Sequence, residues 1–246
     1  MLLDHPLLER DPSVRLPVAV AETDEIAARL GSGEGARLQL GYMKLYDPAV
    51  LHARAVAADR GFGRARAIEV TVLHPTSEAQ LAHARLLPPQ SDVPEDVLAP
   101  LMAGTERLRR AALGDAAAEA FGRLYSEILL GSVVHELALV RAFAGDPTAI
   151  DGVSVWPDAT WPPSVELAGS LPADGRVSIS WHFLPDYPAY REEVRVVYER
   201  ATIELAFPSP YLLHRPTILR ITANEDGGRR DEVWTSTDEA FETELL

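Results

Sequence analysis

Hydrophobic and polar positions alternate along the last third of the 246-residue chain. In the clearest example, Val177, Ile179, Trp181 and Phe183 alternate with Ser178, Ser180 and His182. A period of two residues is typical of a β-strand with one covered and one open face. Short connections such as Asp226-Gly227-Gly228 favour antiparallel neighbours. We therefore predict an antiparallel sheet of about five strands between residues 177 and 236.

Before residue 150 the period is mostly helical. Helices are predicted over residues 21–30, 48–60 and 105–144, the last with a break near Gly114-Asp115, and strands over residues 36–44 and 65–74. Asp47 followed by Pro48 predicts the start of a helix. The aspartate side chain can cap the helix N-terminus, and the fixed φ of proline suits the first helical position. Residues 75–104 contain five prolines and are predicted to be irregular.

These elements predict an α+β fold in which a mostly antiparallel sheet carries helices on one face, preceded by a single α–β unit. The row that begins at Val177 would lie under the helices. The opposite row would face water or a second subunit, because antiparallel sheets can leave one face open. That open row comprises Ser178, Ser180, His182, Arg195, Val197 and Glu199, and we assign Tyr187 and Tyr190 to the same side.

Charge and composition exclude several functions. Acidic residues outnumber basic ones by 37 to 23, so the net charge is −14 and binding of nucleic acid is not expected. Without cysteine there can be no disulfide, zinc–thiolate site or cysteine nucleophile. No export signal or membrane span is visible, which predicts a cytoplasmic protein. We expect no metal site, because no carboxylates and histidines fall at ligand spacing.

Two segments resemble the Gfo/Idh/MocA oxidoreductases. Leu38–Val50 reads LQLGYMKLYDPAV and is similar to the family's entry into its second domain. Val133–Gly145 reads VVHELALVRAFAG and resembles the family helix that carries the catalytic histidine. The resemblance implies that residues 1–44 are the end of a dinucleotide-binding domain and that residues 45–246 form the substrate and oligomerisation domain.

The resemblance also implies an activity, namely NAD- or NADP-dependent oxidation of a sugar, inositol or other polyol. His135 is then the catalytic acid/base, and Tyr42, Lys44 and Tyr46 contact the substrate. Two alternatives stay open for His135, a substrate-facing residue without catalytic function or a core residue. For Lys44, the only lysine of the chain, the alternative is a surface side chain paired with Asp47.

The chain departs from the family at several positions. It has no G-x-G-x-x-G turn between a strand and a helix, and the glycines of residues 31–36 follow a predicted helix, which is the reverse order. Leu16 stands in place of the family's lysine and Gly131 in place of its aspartate. We therefore expect that this chain alone is inactive and does not bind NAD(P). It would be a truncated product, a subunit completed by a separate chain, or a non-catalytic relative.

The alternative function is a binding or assembly module derived from that family. In either case we expect a homodimer or tetramer formed through the open sheet face, because a second copy commonly covers such a surface. No partner is expected among nucleic acids or membranes.

Overall fold

The computed structural model describes residues 41–84, 87, 92–157 and 160–245, together with residues 24 and 26–28. The chain divides into two compact units. One comprises residues 1–39 and 90–131, and the other comprises residues 40–89 and 132–246.

The second unit contains an eight-stranded sheet. Its strands are β1 (Ala65–His74), β2 (Ala149–Trp156), β3 (Ser164–Leu171), β4 (Gly175–Phe183), β5 (Arg191–Tyr198), β6 (Ala201–Phe207), β7 (Ile218–Glu225) and β8 (Gly228–Trp234). Their order is β2-β3-β4-β1-β5-β6-β7-β8. Strand β1 runs parallel to β4 and antiparallel to β5, and the remaining neighbours are antiparallel. The predicted α+β class with a mostly antiparallel sheet is confirmed.

The five strands predicted between residues 177 and 236 are present as β4–β8. The sheet is larger than that segment, because β1, β2 and β3 also belong to it. Glycine and serine weaken the alternation in β2 and β3, as at Gly152 and Gly169. The expected pairing of β4 with β5 is wrong, since β1 lies between them, where Val70 is in register with Ile179 and Val194. A parallel pair needs a long crossover connection, so the local pattern around β4 and β5 could not predict this insertion.

One face of the sheet forms the core. Its apolar side chains are almost fully buried and include Ile68, Val70, Val72, Val177, Ile179, Trp181, Val194, Val196, Ile203, Leu205, Leu219 and Ile221. On the opposite face polar side chains prevail, and Ser178 and Arg195 are exposed there. The predicted division into a covered and an open row is therefore correct. Tyr190 is an exception, because it belongs to the buried cluster described below.

The helices of this unit are α1 (Pro48–Asp59), α2 (Ser77–Gln80), α5 (Val134–Ala144) and α6 (Ala240–Leu245). The predicted start of α1 is confirmed, because the Asp47 carboxylate accepts the N–H of Ala49 at 2.8 Å and the hydroxyl of Thr217 at 2.6 Å. Helix α5 packs on β1, and α1 packs on β6 and β7. Helix α5 ends at Gly145, whose φ of 82° suits glycine.

The strand predicted over residues 36–44 is wrong at its described end. Gly41 and Tyr42 are irregular, and Met43–Tyr46 form a 3₁₀ turn that leads into α1. The cap at Asp47 fixes where the chain enters α1, which favours a tight turn over an extended segment. Residues 36–40 lie outside the described residues.

The other unit contains α3 (Glu95–Leu113) and α4 (Asp115–Arg123), and a π-helix (Leu124–Val133) begins directly after α4. The predicted break is confirmed at Gly114, whose φ is 79°. The irregular segment predicted over residues 75–104 is wrong, because α2 and the start of α3 lie within it. Helix α3 contains Pro100 in its second turn, where the missing N–H removes one hydrogen bond of the helix backbone. Arg109 donates to the Ser126 hydroxyl at 3.0 and 2.6 Å and so ties α3 to the π-helix.

Of the first 40 residues, only residues 24 and 26–28 are described, and they are helical, as the helix predicted over residues 21–30 requires. The rest of the predicted α–β unit in residues 1–40 lies outside the described residues. Within the described part of the chain, no helix is both long and apolar enough to cross a bilayer.

Candidate functional site

Lys44 lies at the centre of a buried charge cluster. The 3₁₀ turn places its side chain between α5 and the start of β5, where its Nζ lies 2.7 Å from Glu136 Oε1 and 2.7 Å from Glu192 Oε1. The residue is only 8% exposed. The alternative of a surface lysine paired with Asp47 is therefore wrong, because Asp47 is engaged in capping α1 and Lys44 has two other carboxylates.

The electrostatics of the cluster follow from its burial. Burial lowers the pKa of Lys44, but the carboxylates of Glu192 and Glu136 outweigh it, so the pKa stands above the usual 10.5. For Glu136, burial raises the pKa above the usual 4.5, and the Lys44 ammonium offsets only part of that effect. Lys44 thus keeps its charge at neutral pH, while acidification favours the neutral acid of Glu136.

Tyr190 completes the cluster. Its hydroxyl donates to Glu192 Oε2 at 2.6 Å, and burial, followed by the charge of Glu192, raises the pKa of the phenol. The hydroxyl therefore remains a donor at neutral pH. Each oxygen of Glu192 thus has a partner, whereas Glu136 Oε2 is buried without one among the described residues. The assignment of Tyr190 to the open face of the sheet is wrong.

His135 is the second residue of α5 and lies against the same turn. Its ring meets the ring of Tyr42 edge-on, with centroids 5.7 Å apart. Burial lowers the pKa of His135 below the usual 6.5, and the charge of Lys44 lowers it further, although Glu192 acts in the opposite sense. Its Nδ1 is buried without a hydrogen-bond partner among the described residues. A neutral imidazole with an unused nitrogen can accept a proton.

The structure therefore brings together the side chains that the two sequence motifs predict. Tyr42, Lys44 and His135 lie in one cluster, and Tyr46 ends the same turn in a half-buried position. Their functional roles stay predictions, because contact alone does not distinguish a catalytic histidine from a structural one. Gly131 lies within the π-helix, and Leu16 lies outside the described residues.

Sequence reasoning missed four residues that line this end of the sheet: His74, Glu136, Tyr190 and Glu192. His74 ends β1, and its ring lies 5.2 Å from that of Trp181 and 5.8 Å from that of Tyr190. Burial lowers the pKa of His74 below the usual 6.5. A signal for Glu192 was present in the sequence, because it falls in phase with the buried Val194 and Val196 on β5.

The described residues do not fit a metal or a dinucleotide. Among them, no group of three or more histidine and acidic side chains could hold a metal ion. In the described part of the chain, β1 leads to α2 through His74-Pro75-Thr76, without the glycines that let a backbone approach a pyrophosphate. The turn at Gly61 and Gly63 leads from a helix to a strand, whereas a dinucleotide-binding turn leads from a strand to a helix.

Comparison with known proteins identifies the fold. No family model matches the sequence, and no curated protein matches it either. Solved structures do match, among them UDP-N-acetylglucosamine 3-dehydrogenase GnnA from Acidithiobacillus ferrooxidans, with a TM-score of 0.58 and 16% identity over 92% of this chain and 56% of that chain. Levoglucosan dehydrogenase in complex with NADH matches with a TM-score of 0.56 and 13% identity, over 93% of this chain and 55% of that chain.

A dehydrogenase from Chromobacterium violaceum matches with a TM-score of 0.52 and 14% identity, over 89% of this chain and 52% of that chain. The chain thus spans little more than half the length of these structures. All three are named as dehydrogenases, and one of them is in complex with NADH. At this level of identity the likeness establishes a shared fold, in which this chain has the α+β architecture of their C-terminal domain.

Proposed function

We propose that this chain supplies the substrate side of an NAD(P)-dependent oxidoreductase that acts on a CH–OH group of a sugar, cyclitol or related polyol. The observation that carries the proposal is the contact between His135 and Tyr42 beside the buried Lys44 cluster. Support also comes from the neighbours, since two of the matched proteins are named as dehydrogenases of UDP-N-acetylglucosamine and of levoglucosan.

In this proposal His135 accepts the proton of the substrate hydroxyl. The depressed pKa leaves the ring neutral at physiological pH, which is the state that a general base requires. Lys44 acts on His135 through its charge, which lowers the pKa of the ring and helps to keep it neutral. Glu136 and Glu192 hold the ammonium in place. Tyr42 and Tyr46 orient the hydroxylated substrate.

NAD or NADP belongs to the proposal as the hydride acceptor. The described residues do not fit a dinucleotide. Its binding would fall to a dinucleotide-binding domain, which a separate chain could supply.

The experiment is a titration of the full chain with levoglucosan, L-sorbose and UDP-N-acetylglucosamine, in which NMR signals of the His135 ring report binding. We expect one of these sugars to bind and to perturb His135, and His135→Asn to weaken that binding about fivefold, the loss of one neutral hydrogen bond. Binding should be constant above pH 6.5 and weaken as the pH falls through the lower pKa of His135, because the charged ring can no longer accept.

His52→Asn is the matched control, because the ring of His52 stacks on that of Trp234, with centroids 4.5 Å apart. It should leave sugar binding unchanged. NAD and NADP titrated in the same way should show no saturation in the micromolar range. If no sugar binds, or if His135→Asn binds as the unmodified chain does, the proposed function is wrong.

We also propose that the chain forms a homodimer or tetramer through the open sheet face, whether or not it is catalytic. Charges on that face alternate across neighbouring strands, with Arg195 between Glu69 and Glu204. A surface that carries both signs in alternation can meet a copy of itself about a twofold axis. This arrangement supports the alternative function as an assembly module.

A further inference from the structure

A cavity of about 170 Å³ lies beside the Lys44 cluster. The turn that carries Lys44, the loop after β6 and the segment before α6 form its walls. Lys44, Asp47, Glu192, Phe207 and Ser209 line it, whereas His135 and Tyr42 do not. The cavity is therefore separate from the proposed reacting centre, although both share Lys44.

Two hydrogen-bond donors in the wall of this cavity are unused. The Lys44 ammonium has three N–H groups and uses two of them, one for Glu136 and one for Glu192. The Ser209 residue is 7% exposed, and its hydroxyl has no partner among the described residues. An unpaired buried hydroxyl costs free energy, and a ligand oxygen that accepts from it would remove that cost.

The wall of the cavity carries charges of both signs. Two buried carboxylates in it already accept hydrogen bonds, Glu192 from Lys44 and Tyr190 and Asp47 from Ala49 and Thr217, and both keep lone pairs for a ligand proton. Arg215, Asp238 and Glu239 add charges of both signs at the more exposed edge. An anionic ligand would meet the two buried carboxylates at close range, and a cationic ligand would meet the buried Lys44 ammonium. The wall thus favours a neutral ligand that both accepts and donates hydrogen bonds.

We propose that this cavity is a binding site for a small neutral polyol of three or four carbons. Its volume equals that of about six water molecules in the liquid, which suits a ligand of this size. The hydroxyl oxygens accept from Lys44 and Ser209, and their protons point to the remaining lone pairs of Glu192 and Asp47. Phe207, whose ring centroid lies 5.9 Å from Lys44 Nζ, covers the carbon skeleton.

Calorimetry and ligand-observed NMR on the full chain test the site, with glycerol and erythritol as probes. We expect saturable binding of erythritol in the millimolar range that Ser209→Ala weakens about fivefold, the loss of one neutral hydrogen bond. Ser178→Ala, the same change on the exposed face of β4, should leave binding unchanged. Equal affinity of the two variants, or no saturable binding of either polyol, would overturn the proposal.

Two charged analogues test the chemistry of the ligand. Glycerate and 3-amino-1,2-propanediol are close to glycerol in size but carry a carboxylate and an ammonium, and either one binding as tightly as glycerol would overturn the neutral-ligand assignment. His135→Asn separates this site from the proposed function. Erythritol binding should survive that change, and its loss would show that the cavity is not a separate site. Should sugars fail to bind while erythritol still does, only the proposed function is wrong.

Discussion

Two clusters of similar charge, one cation between two glutamates, lie on opposite faces of the sheet. Lys44 lies 2.7 Å from each of Glu136 and Glu192; the lysine side chain is 9% exposed and each glutamate side chain 1%. On the open face, Arg195 lies 3.5 Å from Glu69 and 3.7 Å from Glu204; the arginine side chain is 51% exposed and each glutamate side chain 52%. The arrangement of charges is alike in the two clusters, and the main difference between them is access of solvent.

Exposed pairs contribute about 0–1 kcal/mol, because water and salt screen them and ordering the side chains costs entropy. In the buried cluster each charge has lost its hydration, so removing one partner leaves the other buried and uncompensated. A protein in which apolar residues of similar shape replace the whole cluster is often as stable. The Lys44 cluster is therefore poorly explained by stability alone. The charge of Lys44 also lowers the pKa of His135, so the cluster has an effect beyond stability.

The largest effect is expected from Lys44→Met. It leaves Glu136 and Glu192 buried without a counter-charge, so we expect the free energy of unfolding to fall by about 3–5 kcal/mol. Arg195→Met, the matched change on the open face, should lower it by less than about 1 kcal/mol. Urea unfolding of the two variants at neutral pH measures the difference.

A triple variant distinguishes unpaired charge from lost packing. If unpaired charge is the cause, Lys44→Met combined with Glu136→Leu and Glu192→Leu should recover most of the lost stability, because no buried charge remains. If Lys44→Met costs no more than Arg195→Met, the contrast between the two faces is refuted.

A smaller effect is expected from Tyr190→Phe, which removes the 2.6 Å hydrogen bond to Glu192 and keeps the ring. A hydrogen bond to a charged group contributes about 1.5–3 kcal/mol, and we expect a loss in that range by urea unfolding. Tyr198→Phe is the control. Burial raises the pKa of Tyr198 to about 12, and its ring packs against Phe62 with centroids 6.0 Å apart. Equal losses in the two variants would show that the bond to Glu192 contributes nothing specific.

Local features of the fold could be predicted from the sequence. The start of α1 at Asp47-Pro48, the bounds of β1 and the break at Gly114 depend on neighbouring residues, and all three are confirmed. The position of β1 within the sheet could not be predicted, since its partners β4 and β5 are far away in sequence. The same holds for the partners of Lys44, because Glu136 lies 92 residues away and Glu192 lies 148 residues away.

Part of the candidate site was nevertheless present in the pattern. Tyr190 and Glu192 fall in phase with Val194 and Val196, so strict alternation along β5 places both on the covered face. A charged residue at such a position needs a buried partner, and the only lysine of the chain was the natural candidate. What the pattern lacked was the strand order that brings this end of β5 to the turn at Lys44.

The smallest effect on stability is expected from Arg195→Glu, which should nevertheless have a decisive effect on assembly. Arg195 lies on the open face between Glu69 and Glu204, so the reversal places three negative charges on adjacent strands, and a second copy would double that repulsion. We expect light scattering at tens of micromolar to give a dimer or tetramer for the unmodified chain and a monomer for Arg195→Glu. At concentrations low enough to keep both chains monomeric, their stabilities should differ by about 1 kcal/mol or less. Arg141→Glu makes the same charge change on the exposed side of α5, where Arg141 pairs with Asp146, and should leave assembly intact. A monomeric unmodified chain, or an Arg195→Glu variant that assembles as well as Arg141→Glu, would show that the open face of the sheet is not the interface.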